Sequence, residues 1–355
     1  MQQHGSPRHA HCSFVPPHVL DHLSRATAGD RIDPTTSQRS AVISKQLRDR
    51  RRRTVMGVDA IAALGAPTAG KSERQIHDCL GDWDFDVPVA RGEDDPPVES
   101  PESVNLAHDH TGATRDYYQD VHGRNGIDNT GSPIKVYANY GIDFNNAFWD
   151  GTRIVLGTGD GVIFTDFSKS MDVMGHELTH GVVTHTANLE YFSQSGALNE
   201  HFADVFGTLV EQTAKGQDAG TADWLIGDDI MGPELYGEAL RSMAHPGTAY
   251  DNDLLGRDPQ PDHMRDYFTG PEDNQGVHIN SGIPNRAFYL TAMEIGTPEA
   301  GLIWYSGLLK LGPTSNFADA ALAIGTAARL LARDRKVDRQ AAQTVRAAFR
   351  AVGIG

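Results

Sequence analysis

The sequence predicts an α+β fold of two lobes, the first rich in β-structure and the second mainly helical. Two patterns carry that prediction. Before Ser170, short apolar runs alternate with turn-forming Gly, Asn and Asp; beyond it, apolar residues recur at i, i+3, i+4 over long stretches. The chain has 355 residues, 39% of them hydrophobic, and two cysteines, Cys12 and Cys79. It can therefore bury a full core without a disulfide framework or a Cys-rich zinc module.

Residues 1–70 read as a separate piece. An apolar patch around Pro16-Pro17 leads into a short helix near Asp21–Leu23. Polar sequence follows, then the basic run Arg48-Asp49-Arg50-Arg51-Arg52-Arg53 and an Ala/Gly/Pro-rich linker from Ala60 to Gly70. A basic run beside a flexible stretch is a natural site of proteolytic processing. The β-rich lobe is expected over 71–183. Asp94 to Pro101 is a Pro-rich surface loop, Asn105–Tyr118 a helix, and Pro133–Tyr140 and Thr152–Leu156 strands. The helical lobe, 184–355, follows the long pattern Met171–Asn188. It carries helical spacing at Leu198–Ala214, Ile283–Ile295, Gly301–Leu311, Phe317–Ala332 and Val337–Val352.

Charge divides the chain in the same place. Residues 1–70 hold 10 Lys and Arg against 5 Asp, a net of +5; the remaining residues hold 21 against 42 acids, a net of −21. An acidic body argues against nucleic acid as a partner. The basic head could reach for DNA, but the simpler reading lays it against its own acidic body. No run approaches 18 apolar residues, so neither a membrane span nor a membrane partner is expected. The His- and Pro-rich start has no apolar core of a conventional secretory signal.

The chemistry begins at His176-Glu177-Leu178-Thr179-His180. On a helix the two His lie one turn apart on one face, where both imidazoles reach one metal ion; Glu177, rotated about 100° from His176, leans over the open position as a general base. Five residues also arise by chance, so a third ligand must decide. Zinc proteases of the metzincin type need His at 186 and Gly at 183; this chain has Thr186 and Val183. Instead Gly196-Ala197-Leu198-Asn199-Glu200-His201-Phe202-Ala203-Asp204 opens a second helix, with Glu200 20 residues beyond His180. Two His and one Glu leave a fourth position for water, the catalytic arrangement. Asp204, one turn past Glu200, is placed to accept an imidazole N–H, with Asn199 beside it.

With these motifs the chain resembles the thermolysin family of zinc endopeptidases from about Arg74 to the end. Asn146-Ala147-Phe148-Trp149, Leu240-Arg241-Ser242-Met243, Asp273 to Gly282 and Pro313 to Phe317 carry the resemblance further. It implies two lobes with the zinc site in the cleft between them. His176, His180 and Glu200 would bind the zinc. Glu177 would take a proton from the attacking water and pass it to the leaving amine. His278 and Tyr191 match the groups that stabilise the oxyanion, and Asp273 the carboxylate that orients His278. Asn146, the Ala147 carbonyl and Arg241 match groups that grip substrate backbone. Phe164, Phe167, Val173 and Leu240 match an apolar pocket for the residue after the cleaved bond. Asp172, Glu211, Asp223 and Asp228 match calcium ligands, but Leu225 replaces a further acid, which leaves room for one Ca²⁺ rather than a pair.

His11 to His18 resembles the short pro-segment of protealysin-like members, which acts as an autoinhibitor and folding aid; the positive head and acidic body agree with such docking. Cys12 reads either as a zinc ligand acting as a switch or as a buried apolar thiol, and Cys79 as core. The expected protein is a monomeric zymogen acting on proteins and peptides. Most members of the family are secreted, whereas this start points to the cytoplasm or to export by another route.

Overall fold

The computed structural model describes residues 12–25, 34–51 and 70–355. The N-terminal segment supplies strand β1 (Cys12–Ser13) and helices α1 (Pro17–Arg25) and α2 (Pro34–Arg51). The body continues with β2 (Arg74–Asp78), β3 (Val89–Arg91), α3 (Glu102–His122), β4 (Ile134–Tyr140), β5 (Ala147–Trp149) and β6 (Ile154–Gly157). These six strands form one sheet in the order β1-β5-β6-β4-β2-β3. β4 pairs in parallel with β2 and β6; the remaining pairs are antiparallel. The outermost strand on one side is thus β1, from the N-terminal segment, lying against β5 with Cys12 opposite Trp149.

Helix α3 makes the crossover between β3 and β4. Val104, Ala107, Thr111, Thr114 and Tyr118, spaced three and four apart, form its buried stripe. The Tyr118 and Thr179 hydroxyls meet at 2.7 Å, which ties α3 to α4 (Met171–Thr184). Every residue of α4 from Asp172 to Val183 is buried. A helix buried all round must be enclosed on all sides; here α3 and the sheet lie on one side and α5 (Ser193–Lys215) on the other. A Cβ on Gly175 of α4 would stand 2.9 Å from the Gly207 Cα of α5, and one on Gly207 would stand 2.7 Å from the Asp172 carbonyl oxygen. The two helices touch backbone to backbone.

Beyond α5 come the paired strands β7 (Leu225–Ile226) and β8 (Arg241–Ser242), then α6 (Glu272–Asn280), α7 (Gly282–Ile295), α8 (Thr297–Leu308), α9 (Phe317–Arg333) and α10 (Ala341–Ala351). Several boundaries differ from the expected ones. α3 is longer than Asn105–Tyr118. α4 stops at Thr184 rather than Asn188, because the chain turns back there and Asn188 takes a positive φ of 49°. The polar stretch after Leu23 contains a helix, α2, that no apolar stripe announces. Arg52, Arg53 and the expected linker from Ala60 up to Gly70 fall outside the described residues.

Glu93 fastens β2 to α3. It accepts from the Arg74 backbone N–H and Nε, the latter at 2.7 Å, and from Arg115 Nη1 at 2.8 Å. Burial works to raise this carboxyl, but the bonds from Arg74 and Arg115 outweigh it and hold the group down at about 2. A depressed carboxylate stabilises the fold above its unfolded pKa and ceases to do so as pH falls through its folded one. Glu93→Gln should therefore cost about 1–2 kcal/mol at neutral pH, allowing for partial exposure. Urea unfolding across a pH series should find that difference narrowing from pH 5 towards pH 3; a constant difference would exclude the ionic account.

Candidate active site

α4 carries His176 and His180 and α5 carries Glu200 and Asp204, and the close crossing at Gly175 and Gly207 brings the four together. The two Nε2 atoms lie 2.9 Å apart, and each is 3.5 Å from an oxygen of Glu200. The other ring nitrogens fix the tautomers. His176 Nδ1 is 2.9 Å from Asp204 Oδ1, which only accepts; His180 Nδ1 is 2.9 Å from Asn199 Oδ1, whose amide N–H₂ is committed to the Leu189 carbonyl. Both Nδ1 atoms therefore donate, and both Nε2 atoms turn lone pairs towards one another and towards a carboxylate. Burial and the neighbouring His176 push His180 well below the ordinary imidazole range. Glu200 Oε2 has no hydrogen-bond partner among the described residues. Three buried electron-rich groups aimed at one point repel unless a cation joins them, so this donor set fits a zinc ion.

Asp204 is itself held tightly. It accepts from Arg241 Nε at 2.9 Å, Arg241 Nη2 at 2.8 Å and Asn285 Nδ2 at 2.9 Å. Although burial opposes ionisation, Arg241 and His176 keep the carboxyl well below the usual range. Asn285 on α7 passes the chain of bonds to His201 Nδ1 at 2.7 Å, and Trp304 Nε1 donates to His201 Nε2 at 2.8 Å. No chemical motif in the sequence includes Asn285 or Trp304, so neither could be singled out from it.

Glu177 is buried, and among the described residues neither of its oxygens is hydrogen-bonded. Burial, then the charge of Glu200, raises its carboxyl well above the ordinary range. Tyr191 donates to Glu200 Oε1, and its oxygen lies 3.1 Å from His278 Nε2. Asp273 reaches His278 twice, at Nδ1 (2.6 Å) and at the backbone N–H (2.7 Å). It does so because Asp273 to Gly276 all have φ between 52° and 74°, a left-handed turn inside α6 that folds the carboxylate back over the following turn. Burial opposes the His278 charge, yet Asp273 and Glu200 raise it to about 9. Its Nε2 is 2.8 Å from the Ser13 carbonyl, an acceptor, so both nitrogens donate and the ring is a cation.

The cleft is filled by the chain's own segment. Phe14 N–H donates to the Ala147 carbonyl at 3.0 Å, Val15 N–H to Asn146 Oδ1 at 2.9 Å, and Arg241 Nη1 donates to the Phe14 carbonyl at 3.1 Å. The Phe14 ring stands edge-on to His176 and beneath the Arg241 guanidinium. A Cβ on Gly227 would come within 2.9 Å of it. Phe164, Phe167, Val173 and Leu240 are fully buried in the same apolar cluster as Phe14.

The four acids matched to calcium lie elsewhere. Asp172 accepts from Ser170, Val173 and Gly227, and Asp223 from the Leu225 N–H. Lys215 Nζ is 2.7 Å from Glu211 and 3.5 Å from Asp229. Burial and the Asp172 charge raise Glu211 to about 8 and Asp228 to about 7. Lys215 and Asp229 have no counterpart in the sequence reading.

Comparison with known proteins gives the family. Residues 97–184 match the thermolysin metallopeptidase catalytic domain, and 187–354 its alpha-helical domain. An extracellular metalloprotease of Pectobacterium carotovorum subsp. carotovorum is 41% identical over 308 residues, 84% of each chain. A thermolysin of Alicyclobacillus acidocaldarius subsp. acidocaldarius is 42% identical over 259 residues, 70% of this chain and 44% of that one. The solved precursor of protealysin, a metalloproteinase from Serratia proteamaculans, superposes with a TM-score of 0.83 at 38% identity, covering 97% of this chain and all of that one. The chain belongs to the thermolysin family of zinc metalloendopeptidases, in its protealysin-like branch.

Proposed function

We propose that this metalloendopeptidase is made as a zymogen, inhibited by its N-terminal segment over residues 1–70, and that it prefers a hydrophobic residue after the cleaved bond. One observation carries the reading. Ser13-Phe14-Val15 lies along β5 as an added strand, bonded to His278, Ala147, Asn146 and Arg241, the groups to which the family resemblance gives the substrate. In that register Phe14 stands for the residue after the cleaved bond. Its burial with Phe164, Phe167, Val173 and Leu240 supports an apolar preference. The division into lobes at 71–183 and 184–355 follows the passage from sheet to helices.

His176, His180 and Glu200 would hold the zinc, which when bound polarises a carbonyl and makes water a nucleophile near neutral pH. Glu177, its proton affinity raised by burial, takes a proton from the attacking water and returns it to the leaving nitrogen. Cationic His278 and the Tyr191 hydroxyl donate to the oxygen on which charge develops; Asp273 keeps His278 charged and aimed. Arg241 binds the substrate carbonyl beyond the cleaved bond while holding Asp204 against His176. For the acidic cluster at Asp172, Glu211 and Asp228, we infer that Lys215 supplies the positive charge.

Glu177→Gln should retain one zinc per chain by elemental analysis yet lose about 10²–10⁴ in kcat on casein. It should also stay full length in a mass-spectrometric time course in which the wild type sheds its N-terminal piece. Normal cleavage by the variant would remove Glu177 as the base. On a peptide series, Phe or Leu after the cleaved bond should exceed Asp or Lys by at least about 10-fold in kcat/KM; a flat profile would contradict the pocket. After stripping with a chelator, zinc alone should restore activity, and a requirement for added calcium would overturn the role given to Lys215.

A further inference from the structure

Within the cleft, the Cys12 sulfur, a ring nitrogen of His180 and a carboxylate oxygen of Glu200 lie within 4.8 Å of one another, all three side chains buried. We propose that in the full-length chain Cys12 is a fourth protein ligand of the zinc, closing the coordination position that catalysis leaves to water. This rests on the zymogen reading above and adds a device to it.

Four features support the assignment. First, the position of Cys12 is imposed by backbone. Its strand pairs with β5 in the register Cys12–Trp149 and Ser13–Phe148, and the next carbonyl and amide are bonded to His278 and Ala147. Second, Cys12 packs with Tyr191 and Val277, which flank the donor set, so its sulfur faces the site rather than the general core. Third, fully buried carboxylate oxygens at the site, Glu200 Oε2 and both of Glu177, accept no hydrogen bond among the described residues. Fourth, thiolate is a strong zinc ligand, and a set of four side chains is the closed arrangement of structural zinc sites, whereas three leave a working position. On ligation the S–H bond is replaced by an S–Zn bond and the proton passes to solvent; no electron is transferred and no oxidant is needed.

The assignment answers a difficulty raised by the register. The Ser13–Phe14 peptide lies where a substrate bond would, its carbonyl on His278 and its N–H on Ala147. With Cys12 in the fourth position no water can be activated beside that bond, and the segment occupies the cleft without being cut there. Cys79 provides a control, since it is buried in a separate cluster with Tyr137, Tyr140 and Phe144.

The test is X-ray absorption at the zinc edge on the full-length Glu177→Gln chain loaded with one zinc, with Glu177→Ala as a parallel background. One sulfur at about 2.3 Å should accompany nitrogen and oxygen ligands at about 2.0–2.2 Å. Adding Cys12→Ser should abolish the sulfur shell, and adding Cys79→Ser should leave it intact. Cobalt in place of zinc should give a sulfur-to-metal charge-transfer band that follows the same pattern. A shell of nitrogen and oxygen alone in the parent chain, or sulfur that survives Cys12→Ser, would overturn the proposal. The zymogen reading fails separately. A sulfur-ligated full-length wild type that digests casein as fast as its trimmed form would refute autoinhibition while upholding the ligation. An inactive full-length chain with no sulfur shell would do the reverse.

Discussion

The crossing of α4 and α5 depends on the absence of side chains at Gly175 and Gly207, and the rest of the site depends on that crossing. His176 follows the first glycine directly, and Asp204 precedes the second by one turn. A methyl group at either position would have to displace backbone, not a flexible side chain, and so would move one helix relative to the other. Zinc ligands tolerate displacements of only a few tenths of an ångström. The local composition of two helices thus sets the precision of a site whose other members come from β5, β8, α6, α7 and the loops between elements.

Behind that crossing, the buried charge of Asp204 is fully paired. Asp204 touches His176, Arg241 and Asn285, and through Asn285 and His201 the bonds continue to Trp304 in the helical core. Removing one partner from such a network leaves a buried charge uncompensated, which costs far more than the pair contributes over an apolar replacement. The arrangement is therefore better understood as orientation than as stabilisation. Arg241 belongs to both halves of the problem: the Nε–Nη2 edge of its guanidinium holds Asp204 against His176, and Nη1 holds the Phe14 carbonyl in the cleft.

Much of this was legible in the sequence for physical reasons. The i, i+4 spacing of His176 and His180 has meaning only on a helix, and long periodic helices such as α5 and α9 declare themselves through their apolar stripes. What the sequence concealed were features without a period. The left-handed run from Asp273 to Gly276 contains Asp, Asn and Gly, which tolerate such a φ best, but these normally adopt it singly, and four in succession is not a pattern local preference predicts. α2 has no apolar stripe. Asn285 acts through a partner 81 residues away, and only the fold makes it a neighbour of Asp204.

β5 would have a further consequence if, as proposed, the N-terminal segment is removed. It is three residues long and pairs with β6 on one side and with β1 on the other. Departure of the N-terminal segment leaves a bare sheet edge, and bare edges recruit any extended chain, including a second copy of the same protein. The groups proposed to receive a polypeptide for cutting would then also be the groups most prone to unwanted association. A strand of three residues, with Asp150 and Gly151 directly after it, offers little template for stable pairing. An extended chain can dock there briefly, but continued sheet growth has nothing to follow.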